Sequence, residues 1–318
     1  MAIVLDALVQ LGQLLLVLAL APLLTGYVRK VKARLLRRKG PDLIQPYRDL
    51  HKLLRKEVVL ADNASWVFRV APYVIFATTW VAAALVPTFA TGLGFSPAAD
   101  LIAIIALLGS ARFVLALAGL DVGTSFGGIG SSREMMIASL AEPALLMIAF
   151  TLSLLAGSTQ LSSVVTFMQG TGVGLRVSLA MALVALVMVA IAENARIPVD
   201  NPATHLELTM VHEAMILEYS GRHLAVIEAA ASLKLLLYLS VIGCVFVPWG
   251  VAVAGQDLTT YAVSLFLYAI KLAVGGLLLA VFETVTAKMR VFRVSDFLGA
   301  ALMLGLLAAL LLFVSRGV

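Results

Sequence analysis

The sequence predicts an all-α, polytopic membrane protein with about eight transmembrane helices, and three observations support this fold class. Hydrophobic residues make up 62% of the 318 residues, whereas charged residues make up only 13%. The mean hydropathy is +1.04. Apolar runs of about 20 residues recur along the chain, and runs of that length match the thickness of a bilayer core. These observations exclude a soluble globular protein.

The apolar runs define the predicted spans and their connections. In chain order the spans cover residues 4–28, 66–90, 100–119, 134–156, 174–192, 224–249, 260–283 and 297–315. Only two connecting segments, 29–65 and 193–223, are long. Because the spans hold most of the sequence, we expect residues 1–318 to form a single transmembrane domain without a separate soluble domain.

The first long connection, 29–65, is strongly basic, since it holds 11 of the 23 Lys and Arg residues. The positive-inside rule therefore predicts that this loop is cytoplasmic. If the spans alternate, three further segments lie on the same side: 120–133, 193–223 and 284–296. The segments expected on the other side contain no Lys or Arg: 91–99, 157–173 and 250–259. Both chain termini are then predicted to face outward.

Part of the basic loop predicts a surface helix. From about Gln45 to Lys56, apolar residues recur at helical spacing on one face, which is typical of an amphipathic helix lying along a membrane. Two uses of the basic side chains remain open, namely binding anionic lipid head groups or docking an acidic face of a soluble partner. The candidate docking residues are Arg37, Arg38, Lys39, Arg48 and Lys52.

Several charged residues interrupt the predicted spans. An ionisable side chain at the centre of a membrane helix costs about 3 kcal/mol on insertion scales, so it usually faces protein or water and often marks a pathway. Charges well inside spans include Arg112, Glu142, Lys234 and Lys271, and charges at inner ends include Asp121, Glu134 and Glu283. Static pairing that only orients helices, for example between Arg112 and an acid, is the alternative. We also expect the helix to be distorted at Glu142, because Pro143 follows it.

The second long connection, 193–223, gathers five of the 18 acidic residues: Glu193, Asp200, Glu207, Glu213 and Glu218. Glu193 and Arg196 stand at i,i+3 and are predicted to pair. Pro198 and Pro202 predict a bend. A helix is then expected from Thr204, as N-cap with Glu207 three residues later, to a stop at Gly221.

Crowded carboxylates at a membrane surface share protons, which is typical of a proton relay or a charge-coupled gate. A solvated loop whose acids pair with neighbouring subunits is the alternative. The candidate residues for a proton or ion path, or for its coupling, are Asp121, Glu134, Glu142, Glu193, Arg196, Asp200, Glu207, Glu213, Glu218, Lys234, Lys271 and Glu283.

The residue types argue against a redox or metal site in this chain. Cys244 is the single cysteine, whereas an iron–sulfur cluster ordinarily needs four. The four histidines form no HExxH pair. The Gly-rich stretch at 123–130 lacks the lysine of a phosphate-binding loop, and nothing in the sequence indicates nucleic-acid binding. We therefore expect the chain itself to carry no catalytic residue, metal or cofactor.

Two motifs carry a family resemblance that extends over nearly the whole chain. "AENARIPVD", followed by an acidic helix and "EYSG", resembles the loop between the fifth and sixth spans of the mitochondrial subunit 1 family of respiratory complex I. That family forms the heel joining the hydrophilic arm to the membrane arm. "RRKGPDLIQPYRDLHKLL" resembles the shorter loop of formate hydrogenlyase and hydrogenase-4 complexes, which are membrane-bound nickel–iron hydrogenases.

The resemblance implies a membrane heel subunit in the inner membrane of a prokaryote. Its implied partners are the hydrogenase large and small subunits, an iron–sulfur subunit and antiporter-like membrane subunits, with the Ni-Fe centre and iron–sulfur clusters in those partners. It also implies an inner cavity and coupling path along Glu142, Glu193, Arg196, Asp200 and Glu207. The sequence departs from complex I relatives at "PATHL", where they carry several acids.

Two other functions remain open. A quinone-binding membrane subunit of NADH dehydrogenase (complex I) would need a quinone pocket beside the acidic loop. A stand-alone cation or proton transporter would commonly show internal repeats, and no convincing repeat is found.

Overall fold

A computed structural model of the protein describes residues 2–170, 176–200 and 210–316 as a bundle of long helices. The α-helices in chain order are α1 (Ala2–Leu35), α2 (Gln45–Leu54), α3 (Trp66–Leu85), α4 (Leu101–Asp121), α5 (Ser125–Ala156), α6 (Leu161–Gln169), α7 (Val177–Glu193), α8 (His212–Ile216), α9 (Gly221–Val245), α10 (Leu258–Val285) and α11 (Val294–Arg316). The two short strands are β1 (Ala90–Thr91) and β2 (Ala252–Val253), which pair in parallel.

Seven helices in the described part of the chain are long and apolar enough to cross a membrane: α1, α3, α4, α5, α9, α10 and α11. The fifth predicted span corresponds to α7, an apolar helix of 17 residues. At 1.5 Å per residue α7 extends about 25 Å, which is slightly less than a bilayer core of about 30 Å. The predicted fold class, a helical polytopic membrane protein, is confirmed.

Helix α5 begins earlier than the sequence predicts. The predicted span starts at residue 134, whereas the Gly-rich stretch before it is already helical from Ser125. The Thr124 hydroxyl caps this start by accepting from the Gly127 amide at 3.2 Å. Gly127 and Gly130 allow the backbones of α4 and of the residues around α8 to approach closely, since a Cβ at either position would collide. This packing offsets the low helix propensity of glycine.

One end of the bundle, which we call the basic end, collects the loops that the alternation of spans assigns to a single side. Ser220 exchanges hydrogen bonds with the backbone of Val59, at 2.8 and 2.9 Å. The Ser65 amide donates to Asp121 at 2.8 Å. The basic loop, the end of α4 and the segment before α9 therefore lie together, whereas β1 and β2 pair at the opposite end.

The surface helix α2 forms close to its predicted bounds and lies against α1 and α9 at the basic end. Gly26 of α1 makes this contact possible, because a side chain there would collide with Leu43 and Pro46. The Tyr47 hydroxyl donates to the Ala19 carbonyl. The predicted docking residues are exposed, and one of them, Arg48, pairs at the surface with Asp42 at 3.2 Å.

Helices α10 and α11 follow each other in sequence but pack against different parts of the bundle. Helix α10 packs mainly on α1 and α9, whereas α11 packs mainly on α5 and α7. The linker between them, residues 286–293, therefore crosses the basic end. The Met289 amide fastens it there by donating to the Pro198 carbonyl at 2.9 Å.

Candidate functional site

A buried arginine on α4 stands at the centre of the candidate site. Arg112 has a side chain only 3% exposed, and it reaches three carboxylates. Its Nε lies 3.5 Å from Glu134 and its Nη1 lies 3.3 Å from Glu142, both on α5. Its Nη2 contacts Glu193, at the end of α7. The two acids on α5 are about two helical turns apart along the helix, and the Arg112 guanidinium contacts both of them.

A second cation completes this group. Lys234 of α9 lies 3.8 Å from Glu193, whose side chain is 1% exposed. We call these five residues, Arg112, Glu134, Glu142, Glu193 and Lys234, the Arg112 cluster. If all are ionised, three carboxylates face two cations, so the cluster carries one net negative charge. Buried charges are tolerated in protein only when paired, and one added proton would neutralise this cluster.

Another buried carboxylate, Glu283 at the end of α10, joins distant parts of the chain. Lys32 of α1 lies 2.8 Å from one of its oxygens, and Arg196 lies 3.3 Å from the other. We call these three residues the Glu283 cluster. Burial lowers the pKa of the Arg196 guanidinium, while the charge of Glu283 acts in the opposite direction. The Glu283 cluster carries the opposite net charge to the Arg112 cluster if all groups are ionised.

Asp200 ties the acidic loop to the linker between α10 and α11. Lys288 lies 3.0 Å from one carboxylate oxygen of Asp200. The other oxygen accepts from the Val211 amide at 3.3 Å. This buried carboxylate therefore joins the end of the loop that follows α7, the start of α8 and the linker.

A cavity of about 540 Å³ lies between the two clusters at the basic end. Its charged or titratable lining residues include Lys32, Arg38, Glu193, Arg196, Asp200, His212, Glu213, Lys234 and Glu283. Burial lowers the pKa of His212 below its ordinary value of about 6.5, and the charge of Lys234 acts in the same direction. This imidazole is therefore neutral at physiological pH, and burial disfavours its protonation.

Comparison with known proteins identifies the family. A family model described as NADH dehydrogenase matches residues 9–314. The chain belongs to the NADH dehydrogenase family. Formate hydrogenlyase subunit 4 of Escherichia coli is 36% identical to it, and the alignment covers 87% of this chain and 89% of that protein. Hydrogenase-4 component C of the same organism is 35% identical, covering 76% and 75% of the two chains.

More distant members of the NADH dehydrogenase family are also similar. NADH-ubiquinone oxidoreductase chain 1 of Triticum aestivum is 30% identical, and the match covers 63% of this chain and 64% of that one. A chain in the structure of the membrane-bound sulfane sulfur reductase, an archaeal respiratory membrane complex, superposes with a TM-score of 0.79 at 18% identity. The superposition covers 98% of this chain and 99% of that chain, so the fold is shared throughout.

The structure brings together most of the predicted path residues. The clusters, the Asp200 contacts and the cavity lining contain Glu134, Glu142, Glu193, Arg196, Asp200, Glu213, Lys234 and Glu283. Three others lie elsewhere. Asp121 accepts from Ser65 at the start of α3, Glu218 is exposed, and Lys271 lies beside Cys244. Glu207, like the predicted cap Thr204, lies outside the described residues.

The predicted pairing of Glu193 with Arg196 is wrong. Helix α7 ends at Glu193, and Ala195 then adopts a positive φ of 48°. The chain reverses there, and the Arg196 amide donates back to the Ile191 carbonyl at 3.0 Å. Helical i,i+3 geometry is therefore lost, so Glu193 faces Arg112 while Arg196 faces Glu283.

The helix expected after the acidic bend also differs from prediction. In the described residues, α8 covers only His212–Ile216, and Gly221 opens α9 instead of ending the preceding helix. Gly221 has a φ of +52° and lies against the carbonyls of Lys56 and Glu57. A glycine at a close approach to another segment and a glycine at a helix stop look alike in sequence.

Sequence reasoning left four contributors out of the proposed path: Lys32, Arg112, His212 and Lys288. The signal for Arg112 is that it is a single cation within an apolar run, and this signal could have identified it as the residue that contacts several carboxylates. Lys32 and Lys288 look like ordinary members of basic loops. Only the packing of α1, α10 and the acidic loop reveals their carboxylate partners.

Replacing Lys288 with methionine is expected to loosen the acidic loop. The variant leaves the buried Asp200 carboxylate without its 3.0 Å cation. We expect amide hydrogen exchange in residues 196–200 and 210–216 to become about threefold faster or more, because local opening is then less costly. The exposed neighbour Arg290 provides the matched control, as Arg290→Met. Equal exchange in the two variants would remove Lys288 from the site.

Proposed function

We propose that this chain is the membrane-anchoring heel subunit of a multi-subunit, hydrogenase-type oxidoreductase. It docks the soluble electron-transfer arm and relays protons or conformational change to antiporter-like membrane subunits. The observation that carries the proposal is that two groups of ion pairs, which together involve six helices, lie on either side of a cavity at the basic end. The names of its relatives, formate hydrogenlyase subunit 4 and hydrogenase-4 component C, support the hydrogenase type.

The electron chemistry belongs to partners in this proposal. The hydrogenase large and small subunits and an iron–sulfur subunit would hold the Ni-Fe centre and the clusters. This chain offers one buried cysteine, Cys244, whereas an iron–sulfur cluster ordinarily needs four. Within the described residues, no group of three or more His, Cys, Asp or Glu is arranged to hold a metal ion.

The relay begins at the cavity and ends on the membrane face of α5. A proton or a charge arriving in the cavity meets the Glu283 cluster, Asp200 and the neutral His212. Glu193 lines the same cavity and touches Arg112, whose other contacts are Glu134 and Glu142. Because three carboxylates compete for one guanidinium, protonating one of them shifts Arg112 toward the others. This gives two arrangements that both ends can bias.

Glu142 is the point of exit toward a membrane partner. Its side chain is 42% exposed, whereas those of Arg112 and Glu193 are 3% and 1% exposed. Its carboxylate lies over Gly109 of α4, where a larger residue would crowd it. Transfer of a proton to antiporter-like subunits requires charged groups that lead from the buried cavity to the membrane surface of the protein. The Arg112 cluster has this arrangement.

We place the basic end on the cytoplasmic side of the inner membrane of a prokaryote. The positive-inside rule supports this orientation, since the loops at the basic end carry most of the Lys and Arg residues. The soluble arm would then dock where the cavity lies, against α2 and the basic loop.

A quinone-binding role, as the membrane subunit of NADH dehydrogenase beside the hydrophilic arm, is the second candidate. The cavity favours it, because about 540 Å³ is within the usual range for a small-molecule site. The similarity to NADH-ubiquinone oxidoreductase chain 1 also favours it. The many charged side chains in the cavity wall favour the relay instead, because they supply the titratable groups that proton transfer needs.

Affinity purification of the tagged chain in mild detergent tests the proposal. We expect a nickel-containing large subunit and an iron–sulfur protein to co-purify, with nickel and iron measured by elemental analysis. Flavin and NADH-oxidising subunits without nickel, together with quinone reduction, would favour the second candidate. A chain that purifies alone and conducts ions in liposomes would overturn both and indicate a stand-alone transporter.

Reversing the charge of Arg37, Arg38 and Lys39 to Glu is expected to release the soluble arm. These side chains are exposed next to the cavity mouth, which Arg38 also lines. We expect about tenfold less soluble partner per tagged chain, because like charges now face an acidic docking surface. The charge-conserving control is Arg37→Lys, Arg38→Lys and Lys39→Arg. Normal co-purification of the reversed variant would indicate that these charges bind lipid.

A further inference from the structure

We propose that the groove between α9 and α10 around Lys271 docks a transmembrane helix of a different protein, and that this helix places a carboxylate opposite Lys271. The inference goes beyond the proposed function. Lys271 belongs to neither the Arg112 cluster nor the Glu283 cluster, and it does not line the cavity. A separate explanation for this charge is therefore needed.

Lys271 is a cation near the middle of the membrane. It lies halfway along α10, about 20 Å from either end of the helix at 1.5 Å per residue. Lysine side chains near helix ends can extend to the head groups, but this position is too deep for that. Lipid phosphate is therefore not the counter-ion. A lysine at this depth without a counter-charge is energetically costly, so it usually faces protein or water.

The described part of this chain does not supply a counter-ion. Among residues 2–170, 176–200 and 210–316, no carboxylate lies within the 4.0 Å ion-pair distance of Lys271. Its neighbours on α9 are Gly243 and the buried Cys244 thiol. The other lysine within a span, Lys234, has Glu193 at 3.8 Å. The contrast between the two indicates that the partner of Lys271 is not among the described residues.

The surface beside Lys271 has the shape of a helix-packing site. Lys271 is only partly buried, and on the same side of α10 Val274 and Leu278 are 50% and 64% exposed. Gly243 on α9 lies beside the Lys271 side chain, and its lack of a side chain leaves room for a close backbone approach there. Of the seven long spans in the described residues, α10 is the least covered, with 22% of its apolar stretch buried against 33% to 56% in the others.

The positive charge of Lys271 determines which kind of helix can pack in the groove between α9 and α10. A second copy of this chain related by two-fold symmetry would bring the same patch, and hence a second Lys271, into the contact. Like charges in a membrane interface repel strongly, so the partner is a different protein. A buried Asp or Glu on its helix would balance Lys271 and fix the register of the two helices, as polar residues do elsewhere in membranes.

Site-specific photo-crosslinking in the assembled complex, within native membranes, tests this directly. Benzoylphenylalanine at Leu278 should crosslink to a transmembrane segment that contains Asp or Glu. The control position is Ala269, which is exposed on the other side of α10 and should give at most about one tenth of that product. Crosslinks from position 278 only to lipid, or to a second copy of this chain, would overturn the proposal.

Substitution of Lys271 provides the second arm. Lys271→Met should reduce co-purification of the crosslinked partner about tenfold, while Lys271→Arg retains it. The amount of chain in the membrane is measured in parallel. If the methionine variant does not accumulate, Lys271→Glu is combined with an Asp or Glu to Lys change in the partner, and the pair should restore the yield. Full co-purification with Lys271→Met, or no restoration by the exchanged charges, contradicts the proposal.

Discussion

Replacing Arg112 with methionine is expected to lower stability more than any other single substitution in the Arg112 cluster. Arg112 is 3% exposed and contacts Glu134, Glu142 and Glu193. Methionine fills a similar volume but leaves these carboxylates without their common cation. Breaking a buried ion pair from one side costs about 3 to 5 kcal/mol. The thermal unfolding midpoint of the purified complex, and the amount of chain in the membrane, should both fall.

The matched control is Arg69→Met, which removes an exposed arginine from α3. A second variant separates charge from packing. Combining Arg112→Met with Glu134→Gln removes a charge whose ion pair among the described residues is with Arg112, so it should recover part of the lost stability. If the Arg112→Met and control variants have the same unfolding midpoint, the ion pairs of Arg112 do not contribute to stability. The same conclusion follows if the double variant has the same midpoint as Arg112→Met alone.

The second large effect is expected from Glu142→Gln, which should change the coupling of proton movement to electron transfer and leave stability unchanged. Glu142→Gln keeps the size of the side chain and one oxygen that can accept from Arg112 at 3.3 Å, but it cannot carry a proton. We expect proton movement per electron to fall about tenfold or more, since removing a group that transfers protons commonly costs at least that much. The complex should still assemble and transfer electrons among its soluble subunits.

Proton uptake into inverted vesicles, measured beside electron transfer in the same sample, gives the ratio. Glu218→Gln is the control, because Glu218 is exposed and does not line the cavity. Proton movement that stays unchanged in an intact Glu142→Gln complex would exclude Glu142 from the path. A parallel loss of electron transfer would instead indicate a defect in assembly.

The fold was largely predictable from the sequence because membrane helices are specified locally. A run of about 20 apolar residues must form a helix that satisfies its own backbone, whatever surrounds it. The boundaries were less predictable. Helix α5 starts at Ser125 because close packing around Gly127 and Gly130 outweighs the weak helix propensity of glycine, and packing is not visible in a local pattern.

The carboxylates of the candidate site were largely predictable from the sequence, but several of their partners and the pairing were not. Glu142 and Glu283 stood out because carboxylates are rare in apolar runs, and Glu193 because it opens a connection that gathers five acids. Their partners are set by tertiary structure, which brings Arg112 to Glu193 and Lys32 to Glu283 across the bundle. Sequence proximity suggested Arg196 for Glu193, and the reversed chain after α7 separates them. The roles of Glu142, Glu193 and Glu283 stay predictions until the substitutions are measured.

The linker that crosses the basic end has a consequence for biogenesis. Glu283 and Lys288 are synthesised after Lys32 and Arg196, since they follow them in the chain. During insertion, Lys32 and Arg196 therefore lack the Glu283 carboxylate with which they pair in the folded chain. The ion-pair network therefore closes only after α10 has docked and the linker is fastened to Pro198. A nascent chain cannot complete its charged interior, or present a finished docking end to a partner, before α10 and the linker that follows it have been made.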